Sequence, residues 1–411
     1  MLIPPPPSPW SSLAPTPMRL VGARVLREGA LREGEVSLAQ GRIVEAGAGR
    51  RPLEVDLSGY LVLPGIVDLC GGAFERHVSP APRVTLPLEA ALLAADREAA
   101  AWGVTTAHLG QGWSWEGGAS DPDRAEALLA ALDAHRPRAL TDLRAVLRVE
   151  AHTVGTADRL VGAMRRHGVR CALLGDRLTG RGLAGGGLAD PASPRAVAAR
   201  AEALGVAPEE HAARRRAAVA RAAEMPRHVL RLAEAFDAMG VAFGSEGCRD
   251  AEAREAWSMR GARICAFPLS RAAAASARAV GDPVVLGAAE VAGFAPTRGR
   301  IGAADLLAEG LGDALASEEA YPALARAALR LAGQGALPFA PAWALVSERP
   351  AAILGLSDRG RIEEGLRADL CVLDPDGGAV EATICGGRVS HLAGGAAARL
   401  LAAAEAARAA A

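Results

Sequence analysis

No lysine occurs anywhere in the 411 residues, so all 46 positively charged side chains are arginine. Schiff-base catalysis, a nucleotide loop closed by lysine and a metal pair bridged by carbamylated lysine are thereby excluded. Aromatic residues make up only 3% of the chain, and alanine supplies much of its 50% hydrophobic share. Six cysteines occur (Cys70, Cys171, Cys248, Cys265, Cys371 and Cys385), with no C-x-x-C pair. Dispersed thiols suit a reduced cytoplasmic protein better than a disulfide framework or a structural zinc ribbon. Excess charge of one sign is also missing: 46 basic residues meet 47 acidic ones, for a net charge of −1. That balance argues against a nucleic-acid partner and against an acidic disordered tail. The longest charge-free apolar stretch, Leu331 to Ser347, is broken by Gln334, Pro338 and Pro341 and makes a poor membrane span. Residues 1–17 are rich in proline and lack the basic start and apolar run of a secretory signal. They read as a disordered arm, with Met18 as an alternative start.

Both ends of the chain read as short strands. Gly34–Ala39 and Gly41–Glu45 alternate polar and apolar residues, and the style returns at Ala368–Leu373 and Val380–Cys385. The two ends, 18–60 and 355–395, are expected to pair into one small β-sandwich. Between them, 61–354 alternates apolar runs with alanine-rich helical stretches. The strands expected are Leu61–Leu69, Val104–Leu109, Leu143–His152, Val169–Gly175, Val241–Ser245, Arg263–Leu269, Pro283–Ala288 and Ala314–Ser317. The helices include Leu86–Trp102, Pro122–His135, Ala157–His167, Pro208–Met239 and Pro322–Ala332. About eight strand–helix repeats point to an α/β fold, a (β/α)8 TIM barrel. No G-x-G-x-x-G turn follows the first strand, which disfavours a doubly wound sheet. Residues 396–411 read as an alanine-rich C-terminal helix.

Two motifs resemble the amidohydrolase superfamily: Leu63-Pro64-Gly65-Ile66-Val67-Asp68-Leu69 as its first barrel strand, and the run Gly355 to Leu370 as its return from barrel to sandwich. Within it, the stretches Ala73–His77, Trp102–Thr106, Leu143–Glu150, Ala266–Leu269 and Ala314–Ser317 resemble the α-D-ribose 1-methylphosphonate 5-triphosphate diphosphatase (PhnM) family. The resemblance implies a divalent metal at the C-terminal barrel mouth, zinc or manganese, and release of pyrophosphate from a ribose phosphonate triphosphate. The residues depart from that pattern. Cys70 and Gly72 stand where a histidine and a carboxylate are expected after strand one. Val146 replaces a histidine on strand three, Arg177 one after strand four, and Glu246 one after strand five. Glu318 stands for the last-strand carboxylate that handles the proton. Glu150, Asp176, Glu246 and Glu318 remain as oxygen donors, so the inherited metal site reads as dismantled and no cofactor is expected.

A relocated zinc site could use Cys70, His108, Glu150 and His152, with His77 as a substrate-loop residue; the plainer reading makes these packing and capping groups. His135, His167, His211 and His228 fall on helices or helix ends, where solvated or packing roles are expected, and His391 carries no signal. Arg76, Arg83, Arg144, Arg148 and Arg177 map near the barrel, and guanidinium groups bind phosphate in bidentate fashion. Alternatively, Arg144 and Arg148 neutralise Asp142, Glu150 or Asp176. The run Trp113 to Gly118 reads equally as a wall over the ligand or as a loop staple, and Gly180–Gly187 as a mobile loop. The favoured expectation is a metal-free relative, its enzymatic activity lost, that binds a small phosphorylated metabolite or regulates active enzymes. The alternatives are an active hydrolase with the rearranged zinc site and a structural protein that pairs with an active paralogue. Neither membrane nor nucleic acid is expected as a partner, and homodimerisation is only a generic expectation.

Overall fold

The structure is a computed structural model that describes residues 15–45, 52–81, 84–178, 193–294, 301–374, 376 and 378–409. Most of the proline-rich arm, the glycine-rich run Gly180–Gly187 and Arg83 lie outside the described residues. Two compact units form. Met1–Ala107, Ala134–Leu143 and Glu319–Ala411 make the first, and His108–Asp133 with Arg144–Glu318 the second.

The first unit holds a mixed eight-stranded sheet built from both chain ends. Its strands are β1 (Met18–Arg27), β2 (Ala30–Ala39), β3 (Arg42–Val44), β4 (Leu53–Asp56) and β5 (Leu61–Pro64). From the C-terminal end come β14 (Leu370–Leu373), β15 (Val380–Cys385) and β16 (Arg388–Leu392), in the order β16-β15-β14-β5-β1-β2-β3, with β4 also beside β1. A bulge between Leu20 and Ala23 divides β1. Its first half pairs in parallel with β4 and its second half with β5, so one strand serves two neighbours. Leu20, Val36, Leu38, Ile43, Val62, Leu370, Val372 and Ile384 form the core, and Leu400 and Ala403 of the helix Gly394–Ala409 pack against it.

Eight further strands form the barrel sheet in unbroken chain order: β6 (Ile66–Gly71), β7 (Val104–Trp113), β8 (Asp142–Glu150), β9 (Cys171–Gly175), β10 (Ala242–Glu246), β11 (Ile264–Ala266), β12 (Val284–Gly287) and β13 (Ala314–Ala316). This is the parallel (β/α)8 TIM barrel expected from the repeats. Strands such as Cys171–Gly175 and Val284–Gly287 are buried at every residue, as parallel strands covered by helices must be. The scarcity of aromatics is met by small-residue packing. The helix Arg271–Ala279, for instance, buries Ala273, Ala274 and Ala277. Its N-cap Ser270 accepts the Ala273 amide at 3.1 Å, and Asp250 caps the preceding helix in the same way at 2.8 Å.

Two expected elements are corrected. The strand Leu61–Leu69 is two strands: Leu61–Pro64 joins the mixed sheet and Ile66–Gly71 starts the barrel. The chain switches at Gly65, whose amide donates to Asp369 O at 2.9 Å. A Cβ there would run into the Thr105 side chain, so the switch needs glycine. The helix Pro208–Met239 is also divided, into Pro208–Ala220, a short 3-10 turn and Met225–Met239. Pro226 lacks an amide hydrogen and sits at the start of the second piece.

Candidate functional site

The second unit carries a charged cluster at the C-terminal ends of its strands. Along β8 the side chains alternate, which puts Arg144, Val146, Arg148 and Glu150 on one face. Arg148 takes a carboxylate that the sequence reading had not paired with it. Its Nε donates to Glu246 Oε2 at 3.1 Å and its Nη2 to Glu246 Oε1. Asp142 accepts a bond from Arg359 at 2.7 Å. Glu246 ends β10 and is 4% exposed. Burial opposes its ionisation, but Arg148 and then Arg177 and Arg200 keep its carboxyl below the usual range.

Glu116, which sequence reasoning passed over, is the second anchor. Arg200 grips it in a fork, Nε to Oε1 and Nη2 to Oε2, both at 2.8 Å. Burial alone would raise its pKa; Arg200 and Arg177 overcome that and hold it at about 2. Arg177 stands between the two carboxylates without bonding either. Its Nη1 lies 3.8 Å from Glu116 Oε2 and its Nη2 3.9 Å from Glu246 Oε2. Nη1 is buried and makes no hydrogen bond. Three guanidinium groups thus face Glu116 and Glu246, with Glu150 also acting on Arg200.

Beside this cluster lies a triad. Glu150, His152 and Asp176 are all buried, and their donor atoms lie within 4.8 Å of one another. His152 Nδ1 is 3.2 Å from Glu150 Oε1 and 3.5 Å from Asp176 Oδ1. Burial works against a charged imidazole here, yet Glu150 and Asp176 raise its pKa. The backbone amide of Arg177 donates to Glu150 Oε2 at 2.8 Å, so one residue touches both groups. Of the relocated set, Glu150 and His152 do meet, but Asp176 joins them. His108, on β7, and Cys70, on β6 in the first unit, are buried and outside that triad.

Other expected residues take different places. Arg76 and His77 both turn to Glu98 in the first unit, His77 Nε2 at 2.6 Å. Arg144 is half-buried. Glu318 follows β13 with φ +55°, and Phe267 follows β11 with φ +51°. Such left-handed non-glycine residues cluster at functional sites, and the Glu318 carboxylate fills the space a Cβ on Gly287 would need. Trp113 acts as a staple, its Nε1 donating to Thr156 Oγ1 at 3.1 Å. Trp115 packs on His211 with ring centroids 5.7 Å apart. His135 and His167 have the expected structural roles, bonded to Asp96 at 2.9 Å and Asp133 at 2.7 Å. His211 and His228 take the packing role rather than the solvated one: both are buried, His228 Nε2 has no hydrogen-bond partner, and His211 Nε2 lies 3.5 Å from Glu116 Oε1 without a hydrogen bond.

The profile described as Amidohydrolase family matches residues 319–391. Over 113 residues the chain is 40% identical to the Escherichia coli (strain K12) alpha-D-ribose 1-methylphosphonate 5-triphosphate diphosphatase. By these partial matches the chain is similar to the amidohydrolase superfamily. The matched stretch is 27% of this chain and 30% of that enzyme, so the chain spans under a third of the curated relative's length. Solved amidohydrolase-fold structures are similar over nearly the whole chain. N-acetylglucosamine-6-phosphate deacetylase from Pasteurella multocida is 10% identical with a TM-score of 0.59, covering 91% of this chain and 99% of its own. Beta-aspartyl dipeptidase from Fervidobacterium islandicum is 14% identical with a TM-score of 0.60, covering 92% and 97%. At such identities these likenesses establish the fold. No helix among the described residues is long and apolar enough to cross a membrane.

Proposed function

We propose that this amidohydrolase-superfamily protein binds a small phosphorylated metabolite at Arg148, Arg177 and Arg200 and has lost the hydrolysis of its relatives. The observation that carries this reading is Arg177 Nη1, a buried guanidinium nitrogen without a hydrogen-bond partner. Leaving a buried donor unmatched costs about 1–3 kcal/mol, a cost that a ligand oxyanion would remove. Loss of hydrolysis fits the pairing of Glu246 with Arg148, because a carboxylate held in a guanidinium fork is a poor metal ligand. The phosphorylated class fits the E. coli relative, whose name specifies a 5-triphosphate. Calorimetric titration with pyrophosphate is the test. Binding at least about tenfold weaker in Arg177→Gln is expected, a loss of one good charge-assisted contact; equal affinity would remove Arg177 from the site.

The buried triad favours a second reading, metal-dependent hydrolysis. One imidazole nitrogen and two carboxylates fit zinc or manganese as donors. Glu150, His152 and Asp176 would hold the ion, which when bound supplies a hydroxide near neutral pH. Elemental mass spectrometry of untagged protein grown with both metals separates the readings. Near-stoichiometric metal that vanishes in His152→Ala would replace the first reading with the second. No metal would leave the first standing.

A further inference from the structure

Two helices of the second unit, Pro194–Leu204 and Pro208–Ala220, lie between β9 and β10, ahead of the helix Met225–Met239. Among the described residues, the only apolar side chains this pair buries are Ala201, Leu204 and Ala218, with His211 beside them. Met225–Met239 instead buries Val229, Leu232 and Phe236 completely, and packs on β10 and on the helix Ala157–His167. Neither of the two earlier helices has a barrel strand among its main packing partners. Those are each other and the short turns Gly118–Ser120 and Ala222–Glu224. Hydrophobic stabilisation scales with the apolar area buried, so the pair gains little from it. Charge ties it down instead. Arg200 donates to Glu116 through Nε and Nη2, both at 2.8 Å. Arg214 Nη1 stands 3.5 Å from Asp121 Oδ2, and Arg215 Nη2 donates to Leu178 O at 3.5 Å. The Arg214 pair is partly in solvent and the Leu178 bond is long, so the fork on buried Glu116 is the strong tie. Arg148 and Glu150, at the end of β8, also act on Arg200, so the first helix reaches the same barrel mouth.

We propose that Pro194–Ala220 is a lid on the arginine cluster, latched by Arg200 on Glu116, and that its opening carries Arg200 away from Arg148 and Arg177. A segment with little buried apolar surface opens locally while the rest of the fold stays intact, and lids are drawn from such segments. Glu116 and Arg177 lie on loops that leave barrel strands, so they stay behind when the lid lifts. The inference rests on the reading of Arg148, Arg177 and Arg200 as an anion site and deepens it. That site is whole only with the lid shut, and a phosphoryl group held by all three arginines keeps it shut, because a ligand stabilises the state that binds it.

The test is hydrogen–deuterium exchange of the full-length protein, read by mass spectrometry, with Met225–Met239 as the internal standard. In the wild type, Pro194–Ala220 is expected to exchange at least about tenfold faster than the standard. Glu116→Gln should speed it by a further factor of about ten or more, and so should Arg200→Gln, a milder change at a half-buried side chain. Ile264→Val, a small truncation in buried β11, should speed the standard and leave Pro194–Ala220 unchanged, because lid opening does not expose that strand. Pyrophosphate should slow Pro194–Ala220 in the wild type and not in Arg200→Gln. The lid is overturned if the segment exchanges as slowly as the standard, if both latch variants leave its rate unchanged, or if Ile264→Val speeds both segments alike. Pyrophosphate that binds by calorimetry without slowing the segment also overturns it. Absence of pyrophosphate binding removes the anion reading instead, and the three variants then decide the lid on their own.

Discussion

Arg254 and Arg177 are the same side chain put to opposite uses within one unit. Arg254 is fully buried and largely matched. Nη1 donates to Ser245 Oγ and Nη2 to Ala262 O, each at 3.0 Å, and Nη2 also bonds Asp282. Only its Nε lacks a partner. The Arg177 side chain is 13% exposed, and its nearest carboxylates stand at 3.8 and 3.9 Å, ion-pair contacts too long for hydrogen bonds. In a protein without lysine, arginine has to serve both as an internal tie and as a contact for ligands. The number of donors the chain itself satisfies separates the two jobs. A guanidinium with most of its donors bonded holds the strand ends in place, and one whose carboxylates stand off is left for something else to complete.

Breaking the tie should have the largest effect. Arg254→Leu strands a buried Asp282 and unties Ser245, next to Glu246, and is expected to cost about 3–5 kcal/mol in chemical denaturation. A loss below about 1 kcal/mol would mean that Arg254 is not the structural member of the comparison.

Glu116→Gln should come next, at about 2–3 kcal/mol near neutral pH, because it leaves Arg200 and Arg177 facing a neutral amide. The direction with pH is fixed. Glu116 has a folded pKa of about 2, below its unfolded value, so its contribution is present above about 4.5 and fades as the pH falls towards 2. Denaturation profiles should therefore be flatter in that acid window for Glu116→Gln than for the wild type. Parallel profiles would place the acid sensitivity elsewhere.

Arg177→Gln sharpens the contrast from the other side. Its folding stability should change by less than about 1 kcal/mol, since few bonds are lost, while pyrophosphate binding falls. If stability fell as far as for Arg254→Leu, the division between the two arginines would collapse.

The smallest expected effect is at His152. Its folded pKa is raised, so its stabilising contribution is present below about 6.5 and lost as the pH rises through the folded value. His152→Gln should remove that alkaline-side slope and leave the acid side as it was. A wild-type slope retained in the variant would separate His152 from Glu150 and Asp176.

Much of the architecture was legible before any coordinates. Apolar runs and alanine-rich helices repeat about eight times, and buried parallel strands have to read as continuous apolar runs, so the barrel could be counted off the chain. The motif at Leu63–Leu69 and the run from Gly355 located both ends of the superfamily resemblance. The switch at Gly65 was not legible, because a strand that leaves one sheet and enters another keeps the same apolar pattern throughout. Nor was the break before Met225, although Pro226 offered a signal.

The site was legible only in part. Arg148, Arg177, Glu150 and His152 were singled out from their places at strand ends, where side-chain alternation fixes which residues share a face. Glu116, Arg200 and Asp176's place in the triad were not, since Glu116 and Arg200 are 84 residues apart and the sequence has no term for their meeting. His211 and His228 read as ordinary helical histidines, because helical position says nothing about whether a ring nitrogen finds a partner.

The sequence by itself determined the chemistry available: arginine in place of any lysine, and six scattered thiols with no C-x-x-C pair. It also determined the barrel, since hydrophobic periodicity is local and survives being read in one dimension. Only the tertiary structure decided which charges neutralise each other. Pairing depends on distances of a few ångströms between strand ends far apart in the chain, and at that range a bond at 2.8 Å and a gap at 3.8 Å separate a spent arginine from one still able to bind.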